Sequence, residues 1–200
     1  MKADCRDTIF NIKSQTSFLK VALETHEYQY NDNAVYRDFL KNLGKDPSSV
    51  KTLNEIPFLP VEFFRNHKIV SGDQPVEMIF ESSGTSGITP GKHYVTDLGL
   101  YEESFLKTFL LFYGDPEEYL IAALLPSYVE RSNSSLIYMV DSLIKRSNHN
   151  ESGFYRDDIN DLILALDRAK KANQKTLLIG VSFALLDLAN KYRPIFPELL

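Results

Sequence analysis

Apolar positions recur at helical spacing twice in the first forty-odd residues. Phe18, Val21, Ala22, Thr25 and Tyr28 predict a helix from Thr16 to about Tyr30. Val35, Tyr36, Phe39, Leu40 and Leu43 predict a second from Asn33 to Leu43, ended by Gly44. Together they are expected to form a helical cap over residues 1–45, packed on the later part of the chain, with Tyr28, Tyr30 and Tyr36 as core-edge aromatics. From 46 to 75 the period disappears, and prolines at 47, 57, 60 and 75 interrupt the chain. Ile56-Pro-Phe-Leu-Pro-Val-Glu-Phe-Phe64 is too apolar for a solvated linker. It is expected to lie against the body of the protein, its aromatics packing there or lining a pocket.

Beyond residue 75 short apolar runs alternate with helical patterns. Val76–Phe80 reads as a strand, and Tyr94 and Val95 as a brief return strand. Asp97–Tyr113 comes next as a helix, with Thr96 or Asp97 as its cap. Glu118–Leu125 reads as a buried strand stopped by Pro126, and Ser135 to about Ser147 as a helix. Asp157–Ala172 is amphipathic, with Ile159, Leu162, Ile163, Leu166 and Ala169 inward. Thr176–Gly180 is a second buried strand, succeeded by a helix from Ser182 to Lys191. Strands alternating with helices predict an α/β fold with a largely parallel sheet flanked by helices. The expected organisation is one domain, with 1–45 as cap, 46–75 as irregular packed segment and 76–200 as α/β core. Ligands in such sheets sit at the carboxyl ends of the strands. The segments after Phe80, after Leu125 and after Gly180 are all read as lying at such ends.

The first of these is the most unusual stretch in the chain, Glu81-Ser-Ser-Gly-Thr-Ser-Gly-Ile-Thr-Pro-Gly-Lys-His93. Its glycines admit backbone conformations closed to other residues and let an anion approach the amides. Ser82, Ser83, Thr85, Ser86 and Thr89 add hydroxyl donors, and Lys92 adds a mobile positive charge. A nucleotide triphosphate site needs such a loop; a flexible surface turn has the same composition. The Walker pattern fails, because Ser86 stands where its first glycine belongs and His93 where its hydroxyl belongs. The nucleophile elbow fails as well, since Gly84-Thr-Ser-Gly87 is one residue short of it.

Composition narrows the partners. Two hundred residues suffice for one domain, or most of one. Mean hydropathy of −0.22 and 24% charged residues describe an ordinary soluble chain. A net charge of −5 without basic runs argues against nucleic acid. The single cysteine, Cys5, excludes an internal disulfide and a multi-cysteine zinc site, and suits a reducing cytoplasm. No apolar stretch reaches the ~20 residues of a membrane span, and the opening residues carry no signal-peptide core. No metal ligands or catalytic residues emerge from the pattern.

Ser83-Gly-Thr-Ser-Gly87 and Pro90 resemble the Ser-Gly-Thr-Thr-Gly-x-Pro-Lys signature of adenylate-forming enzymes, with Ser86 for the second Thr and Lys92 displaced by a longer loop. Asn33-Ala-Val-Tyr-Arg37 and the run from Leu124 to Val140 look like the matching stretches of LuxE-type acyl-protein synthetases, a branch of that superfamily. Thr176–Leu186 resembles the strand-turn-helix that adenylate-forming enzymes place beside the acyl pocket. The similarity runs across nearly the whole chain in order.

That resemblance implies ATP-dependent activation of a fatty acid as an acyl-adenylate, with Mg2+, and transfer of the acyl group to a thiol of an accepting protein such as a reductase or carrier. Ser83, Gly84, Thr85, Ser86 and Gly87 would cradle the β- and γ-phosphates and Lys92 would neutralise them. Ser127 and Tyr128 would stand near the acyl or adenylate site, with Val181 and Ser182 at its far wall. Tyr128 can equally seal the core edge, and Glu130 and Arg131 can equally be a solvated turn. His93 either touches a phosphate or only opens the next strand. Cys5 matches no family position and reads as a free thiol in a loose tail.

The superfamily's later motifs, including its Mg2+-binding acid, have no counterpart before Leu200, so the chain is expected to be the N-terminal portion of such an enzyme. Leu177-Leu-Ile179 also reads as a strand buried on both faces, unlike the protected edge of a finished sheet. Alone, these residues are expected to bind phosphate weakly and to adenylate nothing. Two other possibilities stay open: an adenylating ligase for an aryl or amino acid, and a non-catalytic binding or assembly module that keeps the fold.

Overall fold

A computed structural model describes residues 3–82, 89–125, 133–155 and 159–192, with side chains from Arg6 onward. The chain divides into two compact units, Met1–Tyr101 and Glu102–Leu200.

The first unit opens with helix α1 (Ala3–Ile9), so Cys5 lies in a helix and not in the loose tail expected of it. Helices α2 (Gln15–Asp32) and α3 (Ala34–Asn42) come next, as predicted. Asn33 serves both: its backbone N–H closes α2 on the Gln29 carbonyl (3.0 Å), and its side-chain oxygen caps α3 by accepting from the Tyr36 N–H (3.1 Å). Buried His26 and Tyr36 lock the two helices together. The Tyr36 hydroxyl donates to the Pro57 carbonyl (2.7 Å) and sits 3.0 Å from His26 Nδ1, which makes Nδ1 the protonated nitrogen. Gly44, at φ +63°, ends α3 as the sequence predicts, in the left-handed region that glycine enters without steric cost.

The segment from 46 to 75 is less irregular than expected. Short 3-10 turns form at Pro47–Ser49 and Leu53–Glu55, and α4 (Phe63–Asn66) completes one turn. Its apolar residues divide: Phe63 and Phe64 are partly covered, while Phe58 and Val61 are 78% and 71% exposed, contrary to the packing expected of them. Strands β1 (Met78–Glu81) and β2 (Lys92–Val95) then pair antiparallel, Glu81 opposite Lys92 and Phe80 opposite His93. The expectation that the glycine-rich loop leaves a strand of the parallel sheet is therefore overturned. That loop is the connection of a two-stranded hairpin.

Helix α5 (Leu98–Phe112) begins in the first unit, where Asp97 accepts from the Leu100 N–H (2.9 Å) and Glu77 from the Leu98 N–H (2.8 Å). The second unit is the α/β body. Its elements are β3 (Leu120–Leu124), α6 (Ser135–Arg146), β4 (Gly153–Phe154), α7 (Ile159–Lys171), β5 (Thr176–Gly180) and α8 (Ser182–Tyr192). The sheet runs β4-β3-β5, wholly parallel, with Leu120 opposite Thr176 and Leu124 opposite Gly180. All five residues of β3 are buried, as a central parallel strand requires. Side-chain alternation sends Leu120, Ala122 and Leu124 toward Leu162 and Leu166 of α7 and Ala184 and Leu188 of α8. Ile121 meets Phe109 of α5 and Leu143 of α6 on the opposite side, where Ala123 and Leu125 meet Val140. Helices thus cover both faces of the sheet, confirming the α/β architecture. One expectation changes: β5 has a single neighbour among the described residues and stands at the sheet edge, with Leu178 and Ile179 only partly buried.

Candidate functional site

Two places carry the chemistry the sequence points to, one in each unit. In the first, the hairpin holds the foot of the glycine-rich loop. The Ser82 N–H donates to the Gly91 carbonyl and the Gly91 N–H returns to Ser82 Oγ, both at 2.9 Å. In that bond Ser82 Oγ accepts, which leaves its own hydroxyl hydrogen to serve a ligand. Ser83, Gly84, Thr85, Ser86 and Gly87, the expected phosphate cradle, lie outside the described residues.

Lys92, expected as a mobile positive charge, lies among the described residues in β2. Directly across the ladder Glu81 approaches its Nζ to 3.6 Å. Both side chains are substantially exposed, so the pair is worth about 0–1 kcal/mol and holds Lys92 only loosely. It does set a carboxylate beside that cation, while Lys68 Nζ lies 5.7 Å from the centre of the Tyr94 ring on the same face. The opposite face carries Phe80, Ser82, Gly91 and His93. There Phe64 of α4 meets the His93 ring edge-on at 6.0 Å.

His93 keeps an exposed edge, but desolvation of the ring against this cover lowers its pKa from the ordinary value of 6.5. A depressed histidine binds fewer protons folded than unfolded, so its contribution to stability is present above pH 6.5 and is lost as pH falls through the lower folded value. Wild type should therefore lose more thermal stability than His93→Gln between pH 7.5 and pH 5. Equal losses would mean the ring is as free in the folded protein as in the unfolded one.

The second place is built by topology. From β3 the chain passes through α6 to β4 on one side, then through α7 back across to β5 on the other. Crossovers in opposite directions put α6, which leaves β3, on one face, and α7 and α8, which leave β4 and β5, on the other. The carboxyl ends of β3 and β5 are thus a switch point, where diverging connections leave room for a ligand. Val181 and Ser182 sit there. The Val181 N–H reaches the Leu124 carbonyl (3.4 Å), its carbonyl accepts the Leu185 N–H (3.0 Å), and exposed Ser182 starts α8. Ser127 and Tyr128 come after β3 in sequence and fall outside the described residues, as do Glu130 and Arg131.

The chain is 41% identical over 64 residues to a long-chain-fatty-acid–luciferin-component ligase of Vibrio harveyi. It shares a stretch with a ligase. The matched region is 32% of this chain and 17% of the ligase, so the likeness covers a small part of that enzyme. No family model matches the chain, and no solved structure matches it.

For a metal, the described residues do not fit: among them no group of three or more His, Cys, Asp or Glu side chains could hold one. No described helix is long and apolar enough to cross a membrane. The sequence pattern missed Arg65 and α4, which lie against the loop foot. Two phenylalanines and an arginine within a proline-interrupted segment gave no periodic signal of that placement.

Proposed function

We propose that the protein takes part in ATP-dependent activation of a fatty acid, forming an acyl-adenylate and passing the acyl group to a thiol of a partner protein. The observation that carries this is the stretch shared with the long-chain-fatty-acid–luciferin-component ligase. The hydroxyl-rich loop and the switch point between β3 and β5 support it. In this chemistry the carboxylate attacks the α-phosphorus in line, the bond to the bridging oxygen breaks, and pyrophosphate departs. Charge grows on the leaving group, where fixed N–H and hydroxyl donors are most effective. In the second step a thiolate attacks the acyl carbon and AMP leaves.

Within this proposal, residues 83–87 and Lys92 serve the phosphates, while Ser127, Tyr128, Val181 and Ser182 border the acyl-adenylate. ATP is the nucleotide. No step is assigned to Mg2+, since the described residues offer it no ligand set. The test is fatty-acid-dependent ATP–pyrophosphate exchange by the full gene product, with and without a combined Thr85→Ala and Ser86→Ala change. Exchange should be present in the wild type and abolished in the variant with the fold intact. Undiminished exchange in the variant would remove the loop from the mechanism, and no exchange with any long-chain acid would remove the function.

A further inference from the structure

Near the foot of the glycine-rich loop, the face of the hairpin opposite Lys92 carries a cation of its own. A methyl group placed on Gly91 would lie 3.6 Å from Ser82 Oγ, 3.7 Å from Phe64 Cβ and 3.9 Å from Arg65 Cγ. The stem of Arg65 thus runs beside the loop foot, held there by the turn of α4 that Phe64 anchors on His93. Among the described residues its guanidinium has no ion-pair or hydrogen-bond partner, and Arg65 is exposed. Glu62, one turn earlier, contributes its backbone carbonyl to the Arg65 N–H, not its carboxylate to the head.

Lys92 offers an anion less. Its ammonium is balanced by Glu81, so an anion approaching from that face gains a cation and meets a carboxylate. On the α4 face the Arg65 stem passes the loop foot and carries an unbalanced guanidinium, whose planar fork matches two phosphate oxygens at once, while Ser82 keeps a hydroxyl hydrogen to donate. The geometry points to Arg65, with Ser82, as the residue that receives the phosphate oxyanion at the loop foot, Lys92 being secondary. Sequence likeness to the loop signature directs attention to Lys92 alone; only the fold brings α4 alongside.

This rests on the proposed nucleotide-dependent function but is tested apart from it. The 200-residue chain is titrated with inorganic pyrophosphate by calorimetry, as wild type and as R65Q, R65K and K92Q, with circular dichroism confirming that each is folded. Loss of a charge-assisted bidentate contact should weaken pyrophosphate binding about tenfold in R65Q. R65K, which keeps the charge and loses the fork, should fall between R65Q and wild type. K92Q should also lose affinity, but less than R65Q, because Glu81 already offsets part of the Lys92 charge. R65Q binding as well as wild type while K92Q loses affinity would overturn the assignment and leave the proposed function standing. No affinity of wild type for pyrophosphate would also overturn it, whereas the function itself is judged by the exchange assay.

Discussion

Leu124→Ala is expected to destabilise the second unit by about 2–5 kcal/mol, the range for removing a fully buried leucine and leaving a cavity. Leu124 is 1% exposed at the end of β3, and it packs in the cluster that joins α7 and α8 to the sheet. Its neighbours there come from three elements, so no single side chain can swing in to fill the space. Leu111→Ala supplies the control. That leucine is 78% exposed on α5 and should cost less than about 0.5 kcal/mol. Urea unfolding of the two variants measures the contrast, provided the slope with denaturant stays constant. Equal midpoints would place Leu124 outside the core and undo the picture of a sheet covered by helices on both faces.

Gly180→Val is the second large effect. A side-chain carbon on Gly180 would come within 2.7 Å of Leu185 Cδ2 and 3.2 Å of the Leu124 carbonyl oxygen. Leu185 can turn away; the Leu124 carbonyl is part of the ladder and cannot. Valine adds two methyl groups to that crowding, and overpacking of this kind costs about 1–3 kcal/mol. The strain falls where the Val181 N–H reaches Leu124, so it also disturbs the switch point between β3 and β5. Gly180→Ala should lie between valine and wild type in melting temperature. A valine variant melting with the wild type would show that the strand end has room to spare, contrary to the close approach.

Most helices were legible in the sequence because each carries its own periodic stripe and a capping residue. Asn33 and Gly44 mark the ends of α3 by chemistry local to them, and Leu162, Leu166 and Ala169 disclose the buried side of α7. Strand β4 was not legible. Gly153 and Phe154 have no alternation to read, and they form a strand only because β3 offers them two ladder positions. Strand register was equally hidden. Met78–Glu81 announces a strand and Tyr94–Val95 its return, as expected, but the sequence leaves the register open, so the Glu81–Lys92 pair emerges only from the fold. At the site the same division holds. Hydroxyls and glycines clustered in sequence pointed to the loop, whereas Arg65 became relevant through contact between segments that sequence spacing does not relate.

The hairpin has a bearing on how the protein comes to be folded. Its two strands are near neighbours along the chain, so the ends of the intervening loop meet at small entropic cost. The β3–β5 pairing must instead join Leu120 to Thr176 across the whole of α6, β4 and α7, and such distant contacts form slowly. The base of the polar bend is therefore expected to be tethered before the parallel sheet is complete, which pulse-labelling hydrogen exchange during refolding would show as earlier protection at Phe80 and Ser82 than at Ile121.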